Sequence, residues 1–182
     1  MAIKAIQTVY KGYKFRSRLE ARWAVFFDSC GYDWEYEPEG FDLGDGVYYL
    51  PDFRIQAKDS NGDFNTFWFE VKPSNKPLTE SEKIKIKRFS EECSKDTSKL
   101  LGIYGDFIVL EGNPEPRFYD GEIMSGVNGS KWVLFPCYRD RPFFFCDDTF
   151  AEAVDSFSHC DDYLGPYIKA RQARFEHGET PQ

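Results

Sequence analysis

Apolar positions change period along the first third of the chain, and the changes mark where a helix gives way to strands. Leu19, Trp23, Phe26 and Phe27 recur at i, i+4, i+7 and i+8, which predicts an amphipathic helix from Ser17 to about Cys30. Ser17 with Glu20 three residues on reads as a capping box, and Gly31 as a left-handed cap at the far end. A strand from about Ile3 to Tyr10 leads into this helix through Lys11-Gly12. Short strands are expected around 33–37 and 47–50, with Gly44-Asp45-Gly46 as a turn. Two longer ones, 53–58 and 64–72, form a hairpin across a loop containing Asn61-Gly62.

Pro73 ends strand pairing. A second helix follows, N-capped by Thr79 with Glu82 completing another capping box, and Ile84, Phe89 and Cys93 give it an apolar side. The stretches 100–104 and 107–110 read as core strands. The segment 112–130 is rich in Gly, Pro and Asn and reads as an excursion or a boundary. Beyond it, 132–138 with 143–146 resembles a hairpin, and 149–160 and 162–174 resemble helices.

These elements predict an α/β (α+β) chain, and 182 residues suffice for one domain with a substantial core. No apolar run approaches the roughly 20 residues that span a bilayer, and the first residues lack the apolar stretch of a secretory signal. Cys30, Cys93, Cys137, Cys146 and Cys160 are scattered and odd in number, which reads as reduced thiols and a cytoplasmic location. Cys146, His159 and Cys160 lack the close ligand pair of a zinc site.

Candidate chemistry centres on Pro51-Asp52 and Glu70-Val71-Lys72. Asp52 and Glu70 are hard oxygen ligands of the kind Mg²⁺ prefers. Glu70 and Lys72 lie two apart in a β-rich run, so a strand would aim both at one face. A metal, its bound water and a scissile phosphate could meet there, with Lys72 orienting the water or neutralising transition-state charge. The alternative is plain: a strand-borne Glu and Lys on one face also make an ordinary solvated pair. The flanks, Val47-Tyr48-Tyr49-Leu50 and Phe67-Trp68-Phe69, are apolar and aromatic, and charges in such runs are costly to bury unless paired or metal-bound. Glu20 is a third carboxylate at the edge of the first helix's buried stripe, where capping alone could account for it.

Tyr13 to Trp23, then Trp34-Glu35-Tyr36-Glu37-Pro38, then Tyr49-Leu50-Pro51-Asp52-Phe53, then Glu70-Val71-Lys72-Pro73 together resemble the PD-(D/E)XK nuclease superfamily, in particular its small members in phages and mobile elements. The resemblance is specific over about residues 10 to 75 and looser to the end, including Ala170 to Gly178. It implies a restriction-endonuclease-like mixed central sheet flanked by helices, with extra C-terminal strands and helices. Residues 1–111 would form the nuclease-like core, and 112–182 an extension packed on it or part of the same domain. Glu20, Asp52, Glu70 and Lys72 match the family's catalytic positions. Asp52, Glu70, Glu20 and the Val71 carbonyl would hold Mg²⁺ or Mn²⁺, and the implied activity is metal-dependent cleavage of DNA.

The net charge of −8 complicates that expectation, because DNA binding normally needs a basic patch. Distribution offsets it in part. Lys11, Lys14, Arg16, Arg18 and Arg22 surround Glu20 with no other acid among them and are the candidate DNA-binding residues. Lys83, Lys85, Lys87 and Arg88 form a second cluster, and Arg139 with Arg141 a third. Acids concentrate from Asp28 to Asp63 and from Asp147 to Asp162. This supports an alternative, a nuclease-fold binding protein that acts as an anti-CRISPR inhibitor by docking its acidic faces on Cas9 or another host defence nuclease. The sequence has no Walker A loop and no dinucleotide fingerprint, and its two histidines lie far from the acidic motif. Cutting both strands of a duplex would favour a homodimer.

Overall fold

Lys11 and Gly12 both adopt positive φ, 46° and 84°, and this pair folds the chain back on itself. A two-residue turn of that hand matches the twist of paired strands. It joins β1 (Thr8–Tyr10) to β2 (Tyr13–Phe15), with Tyr10 opposite Tyr13. The expected passage from strand directly into helix is thus interrupted by a hairpin, because three-residue strands are too short for alternation to register. The computed structural model describes residues 8–58, 64–93, 106–115, 118–120, 131–134, 143–146 and 164–175.

Helix α1 (Arg18–Ser29) starts where expected: the Ser17 hydroxyl accepts from the Glu20 N–H at 3.2 Å. Gly31, at φ 77°, follows its end. Trp23, Phe26 and Phe27 are fully buried. After β3 (Trp34–Tyr36), β4 (Phe41–Asp42) and β5 (Tyr48–Tyr49) pair across the Gly44-Asp45-Gly46 turn. Strands β6 (Phe53–Lys58) and β7 (Phe64–Lys72) form the expected antiparallel ladder, with Phe53 opposite Phe69.

The main sheet runs β3-β6-β7-β8, where β8 is Asp106–Glu111. Its β7–β8 pair is parallel, so a crossover must connect the two, and helix α2 (Glu80–Cys93) lies in that connection. Period-two alternation sorts the sheet's faces. Phe53 and Phe69 face α1, with ring centroids 5.3 and 5.1 Å from Phe27. Trp68 faces α2, 5.9 Å from Phe89. The buried side of α2 is Ile86, Phe89, Ser90 and Cys93, while Ile84 is half exposed. The expectation for Ile84 is therefore corrected: Ile86, Phe89 and Cys93 fall at i, i+3 and i+7, and Ile84 lies about 200° round the helix from Ile86.

A second sheet of order β11-β10-β9 comprises β9 (Phe118–Asp120), β10 (Lys131–Leu134) and β11 (Phe143–Cys146). The β10–β11 pair is the expected antiparallel hairpin, whereas β9 lies inside the segment read as an excursion. Helix α3 (Gly165–Gln172) docks on α1 through Tyr167, whose ring lies 4.6 Å from that of Phe26. The protein is thus a mixed α+β fold with several sheets and, among the described residues, three helices. No helix among them is long and apolar enough to cross a membrane. The expected strand segments 3–7 and 100–104, the loop 59–63 and the helix 149–160 lie outside the described residues.

Helix α2 gives a direct check on local structure. The Thr79 N–H donates to Glu82 Oε2 at 2.8 Å and the Glu82 N–H to Thr79 Oγ1 at 3.2 Å, the reciprocal pair of a capping box. Thr79→Ala should cost about 1 kcal/mol, read from the urea midpoint at unchanged slope.

Candidate active site

Three carboxylates are buried where the start of α1 meets the sheet: Glu20, Asp52 and Glu70, at 8%, 3% and 7% exposure. Register explains two of them. One step beyond the Phe53–Phe69 pair, Asp52 comes opposite Glu70, on the face that also carries Trp68 and Lys72. Asp52 Oδ2 accepts the Val71 N–H at 2.7 Å, so the strand edge itself clamps the carboxylate. Glu37, in the left-handed region at φ 45°, brings the preceding loop into place, and its N–H donates to the Asp52 carbonyl at 2.9 Å. Such a conformation is uncommon for glutamate and tends to gather at functional sites.

Each carboxylate has its own partners. Glu20 Oε1 accepts from the Ser17 hydroxyl at 2.7 Å, while Oε2 accepts from the Tyr36 hydroxyl at 2.6 Å and the Arg16 N–H at 3.1 Å. Glu20 thus completes the capping box and also meets a strand tyrosine. Glu70 Oε2 accepts from the Tyr49 hydroxyl at 2.7 Å, and Oε1 lies 2.7 Å from Lys72 Nζ. Lys72 also reaches Glu82 on α2, at 3.2 Å. Arg16 turns inward, with Nη2 2.9 Å from Asp52 Oδ1 and paired with Glu37.

Electrostatics follow from this crowding. Burial, then the charges of Glu70 and Glu20, push the Asp52 carboxyl well above the usual range, although the Val71 N–H and Arg16 pull the other way. Burial also raises the Tyr49 phenol, with Glu70 adding to it, so Tyr49 remains a donor. Burial opposes the charge on Lys72, but Glu70 and Glu82 outweigh it and raise its pKa. Lys72 is thus a fixed cation at neutral pH, suited to neutralising charge and not to accepting a proton. Among the described residues the ion pairs join four carboxylates, Glu37, Asp52, Glu70 and Glu82, to two cations, Arg16 and Lys72, while Glu20 adds a fifth carboxylate held by hydroxyls and the Arg16 backbone N–H.

That surplus of hard oxygen donors fits a divalent cation in kind. As the side chains stand, their oxygens answer Arg16, Lys72 and the two tyrosines, and no group of three or more His, Cys, Asp or Glu among the described residues is gathered tightly enough to hold a metal ion. Sequence reading brought Glu20, Asp52, Glu70 and Lys72 forward. It missed Tyr36, Tyr49, Glu37 and the reach of Glu82, because a capping glutamate or a strand tyrosine carries no motif. For Tyr49 the only signal was its place just ahead of Pro51-Asp52.

The five basic candidates separate in space. Lys11 pairs with Asp28, Arg16 belongs to the carboxylate cluster, and Lys14 is exposed. Arg18 and Arg22 point away from Glu20, toward α3 and the residues after it. In the second cluster Lys83 meets Glu80, Lys87 meets Glu91 and Arg88 meets Asp45; Arg139 and Arg141 lie outside the described residues. Cys30 and Cys93 are buried and not disulfide-bonded, Cys146 ends β11, and Cys137, His159 and Cys160 lie outside the described residues. Comparison with family models, with curated proteins and with solved structures gives no match to this chain.

Two outcomes test the electrostatics. A carboxyl with a raised folded pKa binds its proton more tightly in the native state, so stability falls as pH rises above the unfolded value. Asp52→Asn removes that loss. In EDTA at pH 7 it should raise the melting temperature by about 2–4 °C, the shift worth ~1 kcal/mol in a chain of this size, whereas Arg16→Gln should lower it. Glu82 behaves oppositely. The Thr79 N–H and hydroxyl, then Lys72, pull its pKa from the ordinary 4.5 to about 2. Its contribution is complete above pH 4.5 and is lost as pH falls toward 2. The stability gap between wild type and Glu82→Gln should therefore close across that window in pH-dependent urea melts.

Proposed function

We propose that this protein is a metal-dependent nuclease that hydrolyses phosphodiester bonds in DNA. The observation that carries the reading is the buried Asp52–Glu70 pair with the charged Lys72 beside it and Glu20 behind it. Asp52 and Glu70 would hold Mg²⁺ or Mn²⁺, with Glu20 and the Val71 carbonyl as further oxygen donors. A bound divalent ion supplies Lewis-acid polarisation of the phosphoryl oxygen and a more acidic water.

The chain's own groups do the rest. Lys72 keeps its proton and faces the charge that builds on the phosphoryl oxygens. Tyr49 holds Glu70 in one orientation through its hydroxyl, and Tyr36 does the same for Glu20. Arg16 neutralises Asp52 and must swing aside, toward Glu37, for Asp52 to take a metal. Hydrolysis of both strands of a duplex would call for two copies of the chain.

The inhibitor reading rests on acids that are in part already answered within the chain. Asp28 meets Lys11, Glu35 meets Arg54 and Asp45 meets Arg88. The stretch from Asp147 to Asp162 lies outside the described residues.

Plasmid DNA incubated with the protein and Mg²⁺ should be nicked or cut, and EDTA should stop it. Asp52→Asn and Lys72→Met should each lower the rate by about 10²-fold or more, the usual effect of removing one group that acts on transition-state charge. Mg²⁺ should also raise the melting temperature of wild type and of Lys72→Met but not of Asp52→Asn. Full cleavage by the Asp52→Ala, Glu70→Ala double variant would refute the site.

A further inference from the structure

On the side of α1 away from the carboxylates lies a second, oppositely charged site. A cavity of about 240 Å³ is lined by Arg18 and Arg22 from α1 and by Arg171, Arg174 and Phe175 from the end of α3 and the residues after it. Arg18 and Arg22 are four apart and share one helix face, whereas Glu20 lies about 200° round from Arg18, which puts the helix between the two sites. In a chain of net charge −8, four guanidinium groups around one cavity are a local reversal of sign.

The cluster is under electrostatic tension. Burial, then the neighbouring Arg18 and Arg174, lower the pKa of Arg22. Arg22 Nη1 donates to Asn113 at 2.9 Å, but its Nε is buried without a hydrogen-bond partner. Arg18 and Arg22 also sit near the N-terminal end of α1, where the helix dipole disfavours cations. Side chains gathered against their mutual repulsion around a cavity are arranged for an anion. Guanidinium forks match the oxygens of phosphate two at a time. The volume is below the roughly 300 Å³ at which pockets for whole small ligands begin, so it suits a phosphate group and not a complete nucleotide.

We propose that this arginine pocket binds a backbone phosphate of the nucleic-acid strand, acting as an anchor separate from the carboxylate site. The identity of the anion rests on the nucleic-acid reading above, but not on the hydrolytic step. The thickness of α1, about 10 Å, separates pocket from carboxylates, so the anchored phosphate lies roughly three or more nucleotides from the scissile one. Phe175 closes one wall of the pocket, its ring 6.3 Å from Tyr10 in an edge contact.

The test uses the full chain in EDTA, where binding is read without cleavage. Arg171 and Arg174 are both exposed and their charges repel the rest of the cluster, so the Arg171→Gln, Arg174→Gln double variant should melt no earlier than wild type. Its affinity for a single-stranded oligonucleotide should fall about tenfold or more, and the slope of log affinity against log salt should flatten by about one to two, as expected for losing one or two phosphate contacts. The Arg171→Lys, Arg174→Lys variant should recover most of the slope, which a purely structural role would not predict. Unchanged affinity and slope in the Gln variant would overturn the proposal and leave the carboxylate site untouched. Pyrophosphate binding that the Gln variant loses, with oligonucleotide binding intact, would assign the pocket to a free phosphate ligand and overturn the strand assignment. Weakened binding by the Gln variant in a protein that never cleaves would uphold the pocket while the hydrolytic reading fails.

Discussion

Burying Asp52 is the constraint around which the structure is organised. A carboxylate removed from water at 3% exposure must be met by donors and cations, and the chain draws them from separate elements. The Val71 N–H comes from β7 and Arg16 from the turn before α1, while Glu70 on the same strand edge has its own cation in Lys72. The backbone N–H of Glu37 fixes the loop carrying Asp52 from the other side. A change in any one of these elements moves the others, because the shared carboxylate ties them together. The aromatic core serves the same end: Phe53 and Phe69, next in register to Asp52 and Glu70, pack edge-on and tilted against Phe27, which fixes the ladder one step from the site.

The two charged sites flank one helix and have opposite character. On one side, carboxylates outnumber cations; on the other, arginines line a cavity. Helix α1 can serve both because its i, i+4 pair Arg18 and Arg22 is offset from Glu20 by half a turn of helix. The acidic total charge therefore describes neither site. It averages a buried carboxylate cluster, an arginine-lined pocket and a surface of locally compensated pairs such as Lys83–Glu80 and Arg88–Asp45.

Much of this was legible in the chain. The period of Leu19, Trp23, Phe26 and Phe27, the cap at Ser17 and the alternation leading to Glu70 and Lys72 located α1, β7 and four residues of the cluster. What was not legible depends on tertiary partners. The side chains of Tyr36 and Tyr49 acquire their roles only when strands distant in sequence meet α1 and β7. Ile84 departs from expectation because apolar identity alone does not choose between opposite helix faces, and it is Ile86 that is buried. The arginine pocket was invisible because Arg171 and Arg174 lie far along the chain from Arg18 and Arg22, and only the docking of Tyr167 on Phe26 brings them near.

The topology of β7 also sets an order of events. Its antiparallel partner β6 is a near neighbour in sequence, while its parallel partner β8 must return across the whole crossover that contains α2. Short loops close sooner and at lower entropic cost than long ones, so the β6–β7 ladder forms ahead of β8 docking. That ladder already sets Asp52 opposite Glu70. The nascent hairpin therefore carries two facing like charges before α1 arrives with Arg16 or α2 with Glu82. Lys72, two residues from Glu70 on β7, and Arg54, two residues from Asp52 on β6, are counter-charges present from the outset, which gives both a part in assembly before the sheet is complete.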